Sequence, residues 1–496
     1  MNESLTIDTE THMRRLMFEG FAVQAHTEIT SWETSDFVSY PARWVFSPED
    51  ARELHRFIAR MNDEKIPYHV VSRGQNWGYG DRNLNRETQV LVVLEKMNEI
   101  LEFDPELGTV LIEPGVSQKQ LAEFLRAQPA SPFNGLKWRM DVTGANEDAS
   151  IVGNFLERGF GHTDRGDHES NGKVIECITA SAEIVFPHQS SHENSKTRGL
   201  YQHDTGLNLE KVFYQTNFAV VTKYLVHLKP AQPVEFGFVF LKDHAAAAKA
   251  IEVVGHLKCE KVIASVPHMA NGARVAKSHR GGKEIDENWV MMIELSGPRE
   301  IVRARKKILR SSLSGSRIIF MNDRRVKLLN RFQFLFSKAS IFRQQIANLN
   351  LIYDLYSGRP SNSFVETATR DAAGARVRAQ WMCPLFPARI QDFQKVRTII
   401  ETVTKRYGLA MASTISLVGD KCAVWVTEIH PAVPGEESLN LAKRCYEDCE
   451  SDLTSAGYGF YRYGYRGSEL RPASKYAREI KEIFDPHDLL SRGRWG

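Results

Sequence analysis

The residues with the most chemistry in them are Ser72-Arg73-Gly74-Gln75-Asn76-Trp77-Gly78-Tyr79-Gly80. Three glycines in the seven residues from Gly74 to Gly80 let the backbone turn through positive φ and leave no side chain between main chain and ligand. Such a turn aims several N–H groups at one anion, and a diphosphate is the usual anion. The spacing excludes a nucleoside-triphosphate loop, because no Gly-Lys-Ser/Thr follows. It also excludes the Rossmann fingerprint, because no helical run follows the last glycine. On its own the segment reads more readily as a plain structural turn.

The elements around it must position it. The apolar run Tyr68-His69-Val70-Val71 leads into the turn as a buried strand. Ser47-Pro48-Glu49-Asp50 predicts a helix start with Ser47 as N-cap and Pro48 at the first helical position. Leu54, Phe57, Ile58 and Met61 then recur at helical spacing. Val90 to Leu94 reads as a strand, Ile100 to Phe103 and Thr109 to Glu113 as a hairpin. Ser117 and Gln120 form a capping box ahead of Leu121, Phe124 and Leu125. The Gly-, Asp- and Asn-rich stretch 141–168 holds Ile151, Val152, Phe155 and Leu156, a short helix between tight loops. Strands return at Val174 to Val185 and Val220 to Lys229, and Pro230 and Pro233 mark a linker. Beyond it, strands (Phe236 to Phe240; Trp289 to Leu295) alternate with amphipathic helices (Asp243 to Val254; Arg299 to Leu309). Glu436 to Ser451 and Ser474 to Phe484 read as the last two helices. The expected class is α+β, with a second α+β unit built on an antiparallel sheet.

Bulk properties narrow the function. A chain of 496 residues, 42% apolar and 25% charged, is long enough for two or three domains. A net charge of +3 gives no reason to expect nucleic acid or an anionic membrane as partner. No apolar run approaches the ~18 residues of a membrane span. The six cysteines are scattered, and the pair Cys445 and Cys449 has no complementary Cys or His pair, so no metal site is expected. Reduced thiols and a Met1–Phe21 segment without an apolar core point to a cytoplasmic protein.

Several blocks together resemble one family, the flavoproteins of the vanillyl-alcohol oxidase and p-cresol methylhydroxylase type. Ser72–Gly80 is similar to the family's FAD-diphosphate loop, and Glu113-Pro-Gly-Val116 to the strand–turn after it. Asp141-Val-Thr-Gly144 through Asp148–Asn154, then Gly159-Phe-Gly161 and Gly166-Asp167-His168, resembles the segment lining the flavin ring. Tyr461-Arg462 and Phe484 to Leu490 with Gly493-Arg494 resemble the C-terminal return. The resemblance implies an FAD-binding domain of residues 1–232 completed by 451–496, with a cap domain at 233–450.

It also implies roles. The backbone of Arg73, Gly74, Gln75 and Asn76 would hold the diphosphate, with Trp77, Gly78, Gly161 and Val221 completing the cofactor site. Ser150, Gly153 and Asn154 would approach the isoalloxazine, and Arg494 would place a cation near its N1/C2 carbonyl region. Tyr79, Tyr461 and Arg462 match the family's phenol site, where two hydroxyls and a guanidinium bind a phenolate. Asp167 matches an aspartate near flavin N5, placed to take a proton from water. The reaction implied is hydride loss from the benzylic carbon of a para-substituted phenol or aromatic alcohol, through a quinone methide, by a homodimer.

The chain also departs from the pattern. Ala379 aligns with the position where many members anchor FAD covalently, and no His or Tyr lies between Gly374 and Phe386. Non-covalent FAD is therefore expected. The paired histidines usual in a cap strand are missing where Lys421-Cys422-Ala423 aligns. Trp77, Trp381, Met382 and Phe386 are candidates for an aromatic-binding wall, with the core as the plainer reading. Two alternatives stay open: oxidation of a larger, non-phenolic metabolite, and a redox-silent flavin-binding partner subunit.

Overall fold

The computed structural model describes residues 11–16, 20–25, 40, 42–84, 88–188, 194–203, 206–277, 288–333, 341–363, 365, 379–409, 411–431, 435–463 and 474–494. Three large sheets organise them, beside a two-stranded pairing of Trp138–Arg139 with Lys229–Pro230.

The first has the strand order Val23–Ala25, Trp44–Phe46, Val90–Val93, Tyr68–Val71, and its last three strands are parallel. The helix Ala51–Glu64 makes the crossover and buries Leu54, Phe57, Ile58 and Met61 against it. Phe57 stacks on Phe46 with ring centroids 4.0 Å apart. The helix starts three residues later than Ser47-Pro48 suggests. Asp50 is the N-cap and accepts the Glu53 N–H at 2.7 Å, while the Glu53 carboxylate accepts the Glu49 N–H at 2.8 Å. This reciprocal pair satisfies two N–H groups at once, which a start at Ser47 would leave to solvent.

The second sheet is antiparallel, in the order Ile100–Asp104, Thr109–Ile112, Ala219–His227, Gly172–Thr179, Ile184–Val185. Ser117 caps the helix Gln118–Ala127 by accepting the Gln120 N–H at 3.1 Å. The Gln120 amide, however, reaches the Asn98 carbonyl at 2.7 Å, so only half the expected capping box forms.

The C-terminal segment returns to the first sheet. The helix Lys475–Phe484 ends at Asp485, whose buried carboxylate accepts the N–H groups of Leu489 and Leu490 and the Lys481 ammonium. Leu490 then bridges Tyr68: the Tyr68 N–H donates to Leu489 O at 3.0 Å and the Ser491 N–H to Tyr68 O at 2.8 Å. Arg494 is thereby set beside the strand that feeds the Gly-rich turn.

The third sheet takes all eight strands from residues 235–429, in the order Arg317–Asn322, Glu235–Leu241, Trp289–Glu294, His268–Asn271, Ser413–Ser416, Cys422–Ile429, Gln380–Met382, with Leu385–Pro387 also on Cys422–Ile429. Every pairing is antiparallel. Strand alternation splits its faces. Val239, Leu241, Met291, Ile293, Ile415 and Trp425 pack into the core with the helices His244–Cys259, Ile390–Arg406 and Glu436–Ser455. The opposite face looks into a cavity. Among the described residues no helix is long and apolar enough to cross a membrane, and no cluster of three His, Cys, Asp or Glu forms a metal site.

Candidate active site

The cavity has a volume of about 1470 Å³, above the roughly 300–1,000 Å³ of an ordinary small-ligand pocket. Its floor begins at the Gly-rich turn. Gly74 and Gly78 sit at φ +63° and +79°, the left-handed region that glycine tolerates. A Cβ on Gly74 would lie 2.3 Å from the Arg82 Cγ, and one on Gly78 2.3 Å from the Trp381 Cδ1. Among the described residues the N–H groups of Gly74, Gln75, Asn76 and Trp77 donate to no protein acceptor. A row of free main-chain donors on a cavity floor suits an anion. The Arg73 guanidinium points away and donates to Gly115 O at 3.1 Å, tying the turn to the Glu113–Val116 segment.

The next part of the floor is the short helix Ile151–Leu156. Its N-cap Ser150 accepts the Gly153 N–H at 2.9 Å and donates to Pro114 O at 2.6 Å. A Cβ on Gly153 would come within 3.2 Å of the Ser72 hydroxyl, so this helix packs close against the strand end. Ser150, Gly153, Asn154 and Val221 line the cavity with Leu490, Ser491 and Arg494. The orphan donors, the small residues and the volume fit FAD: Gly74–Trp77 would hold its diphosphate, and Ser150, Gly153 and Asn154 its ring.

Tyr79, Tyr461 and Arg462 meet in the cavity wall. The Arg462 guanidinium lies 3.7 Å above the Tyr79 ring centroid and 5.7 Å from that of Tyr461, and donates to the Asn76 side chain at 3.0 Å. Burial raises both tyrosine pKa values well above normal, so both stay protonated donors. For Arg462, burial works the other way, but the two tyrosines and Glu157 outweigh it and strengthen its cationic form. The hydroxyls presently bond elsewhere: Tyr79 to the Cys383 sulfur at 2.9 Å and Tyr461 to Arg158 O at 2.9 Å. Burial pushes the Cys383 thiol up to about 11, leaving it neutral.

Residues 42–186 match the family model of an FAD binding domain. Over 90% of this chain and 86% of the relative, the sequence is 24% identical to the 4-cresol dehydrogenase [hydroxylating] flavoprotein subunit of Pseudomonas putida. It is also 24% identical to the 1'-carboxy-chondrochloren decarboxylase of Chondromyces crocatus, over 91% of this chain and 90% of that one. The fold superposes on p-cresol methylhydroxylase with a TM-score of 0.85 at 21% identity, covering 100% of this chain and 98% of the other. For the 4-ethylphenol oxidase of Gulosibacter chungangensis the TM-score is 0.86 at 18% identity, with the same coverage.

The chain carries an FAD binding domain and has the fold of the p-cresol methylhydroxylase-type flavoproteins.

Its flavin site corrects several expectations. Asp167 is exposed, lies outside the cavity wall and accepts the Ser170 hydroxyl at 2.6 Å. It caps a surface turn, and its neighbour His168 points inward instead. The carboxylates that do line the cavity, among the described residues, are Asp81 and Glu157. Glu157 pairs with the Arg494 guanidinium and stands 3.9 Å from that of Arg462, so the C-terminal cation reaches the cavity partly neutralised. Gly78 and Gly161 are not among the residues lining the cavity. A Cβ on Gly161 would collide with the Asp141 carboxylate, 1.5 Å away. Ala379 is buried outside the cavity wall, while Trp381, two residues on, lines it and donates its indole N–H to Trp77 O at 2.9 Å. Trp77 also lines the wall, whereas Met382 and Phe386 belong to the cap core.

Two buried networks escaped the sequence reading. Asp141 accepts from the His168 ring at 2.9 Å and from the N–H groups of His162 and Thr163 at 3.1 and 2.8 Å. Burial would raise its pKa, but these partners outweigh that and hold it well below the carboxylate range. His168 also contacts the Asn154 amide at 2.6 Å, fixing a residue of the cavity floor. The second network is in the cap. Lys421 is exposed and pairs with Asp420, so the aligned Lys421–Ala423 stretch is not where the cap meets the flavin site. His268 is: it lines the cavity and bonds Gly161 O at 3.0 Å and the Ser416 hydroxyl at 2.9 Å. Burial, then the adjacent His162, lowers its pKa to about 3, so it is neutral. Asp141 and His168 stood in blocks already singled out, whereas nothing local marks His268.

Proposed function

We propose that this FAD-dependent oxidoreductase removes a hydride from the benzylic carbon of a para-substituted phenol or aromatic alcohol, with FAD held non-covalently. The observation that carries the reading is Arg462, a buried cation stacked on Tyr79 beside Tyr461 in the cavity wall. Bound FAD supplies the hydride acceptor. Tyr79 and Tyr461 turn their hydroxyls from Cys383 and Arg158 to the substrate oxygen and donate to it. The phenol gives up its proton to solvent on binding as the phenolate, and Arg462 balances the charge. A phenolate pushes electron density toward the para carbon, and the benzylic C–H bond breaks with its electron pair, leaving a quinone methide. Water, or loss of a neighbouring proton, completes the reaction. Glu157 holds Arg462 and Arg494 in place from the opposite side. Two relatives are named for phenols, 4-cresol and 4-ethylphenol.

Anaerobic mixing of the holoenzyme with 4-ethylphenol or 4-hydroxybenzyl alcohol should bleach the flavin. Arg462→Ala should slow bleaching by about 10²–10³-fold with FAD retained, the scale of losing a stabiliser of developing charge; an unchanged rate sinks the reading. Acid precipitation should leave the flavin in the supernatant, and a yellow pellet would contradict non-covalent binding. The cavity's size favours one second reading, a larger non-phenolic metabolite. Bleaching by such an alcohol but by no phenol would select it.

A further inference from the structure

The cavity continues past the triad beneath the outer half of the cap sheet. One rung crosses five strands: Ser416 faces His268, His268 faces Met292, Met292 faces Phe238, and Phe238 faces Ile319. All five line the cavity. At about 4.8 Å per strand, Ser416 and Ile319 are about 19 Å apart. Polarity changes along this line. Ser416 and His268 are hydrogen-bonded to each other, and the three residues beyond them on the rung, Met292, Phe238 and Ile319, are apolar. The triad adjoins the polar end, because Phe160 packs on Tyr461 at 5.3 Å and on His268 at 6.1 Å. Opposite the apolar end runs the helix Ile341–Tyr356, which presents Leu349 and Ile352 to the same space. Phe240, 40% exposed on the next rung, stands in the wall where it meets solvent.

We infer that the para substituent of the substrate is a long apolar chain, lying between the cap sheet and the helix Ile341–Tyr356 and running from His268 to Ile319. This rests on the phenol reading above for the head group. An apolar trough open at one end and joined to the phenol wall at the other gains little from a methyl or ethyl group. Each methylene buried in it strengthens binding by up to about fourfold.

The test separates binding from turnover. Dithionite-reduced holoenzyme cannot accept a hydride, so titration calorimetry reads affinity alone. It should bind 4-octylphenol about 100-fold or more tighter than 4-ethylphenol. Ile319→Trp and Ala347→Trp each fill the trough from one side, and neither residue touches the triad or the Gly-rich turn. Each should cut that preference at least 10-fold and leave 4-ethylphenol affinity within about twofold. Octylphenol binding no tighter than ethylphenol, or a preference intact in both variants, overturns the inference. Tight octylphenol binding without bleaching of the oxidised flavin by any phenol would instead sink the phenol-oxidation reading and leave the trough as a site for an apolar tail.

Discussion

The two walls of the cavity are built from different chemistry. The floor is main chain: orphan N–H groups at Gly74–Trp77, the tight approach at Gly153, and the C-terminal return beside Tyr68. The roof is side chain, one strand face with His268, Ser416, Met292, Phe238 and Ile319 in register. A wall of backbone donors depends on glycine at a few positions and tolerates nothing else there. A wall of alternating side chains keeps its shape through the ladder and can change each residue separately. The floor therefore suits a cofactor common to a family, and the roof suits whatever distinguishes one substrate from another.

The contrast predicts where substitution is felt. Gly74→Val should have the largest effect. It forces a β-branched residue to φ +63° with its Cβ on Arg82, and should lower the flavin-to-protein ratio of purified enzyme at least 10-fold. A fully flavinylated variant would show that the floor does not need glycine.

His268→Gln breaks the roof more gently. The unfolded histidine titrates near 6.5 and the folded one near 3. Between those values the unfolded chain binds a proton that the folded chain refuses, so folding stability falls as pH falls. This group contributes about 1.4 kcal/mol per pH unit of that slope. The glutamine variant should lose that part of the slope in urea unfolding between pH 6.5 and 4.5 while keeping its flavin. An identical slope in both proteins would mean His268 is not held neutral.

Asp167→Asn should have the smallest effect, turnover within about twofold of wild type, since its carboxylate faces a surface turn. A loss of 100-fold would return Asp167 to the chemistry and require the loop to move.

How much of this was legible in the chain follows the same division. The shape of the turn at Ser72–Gly80 was readable because it is local: a strand feeds it and three glycines bend it. Tyr461-Arg462 was readable only through resemblance, since a Tyr-Arg pair near a chain end carries no pattern of its own. That Asp167 stands at the surface while Asp141 is buried could not be read from the chain, for a physical reason. Both lie in a Gly-rich stretch, and which carboxylate is buried depends on the His168 ring and the Gly161 backbone that close over Asp141. The helix start at Asp50 rather than Ser47 turned on one reciprocal hydrogen-bond pair. In the cap, strands and helices were visible as alternation and periodicity, but no pattern in sequence tells which face of a strand turns to a ligand.

By itself the sequence determined the backbone devices: glycines at positive φ and strand alternation. These act over a few residues, so neighbours in the chain suffice to specify them. The tertiary structure alone decided that His268 stands over the flavin floor, that Glu157 bridges two arginines, and that the cap sheet extends the cavity to Ile319. Each of those contacts joins residues far apart in sequence. They exist only because strand register and the packing of the cap against the flavin-binding sheets bring them within reach.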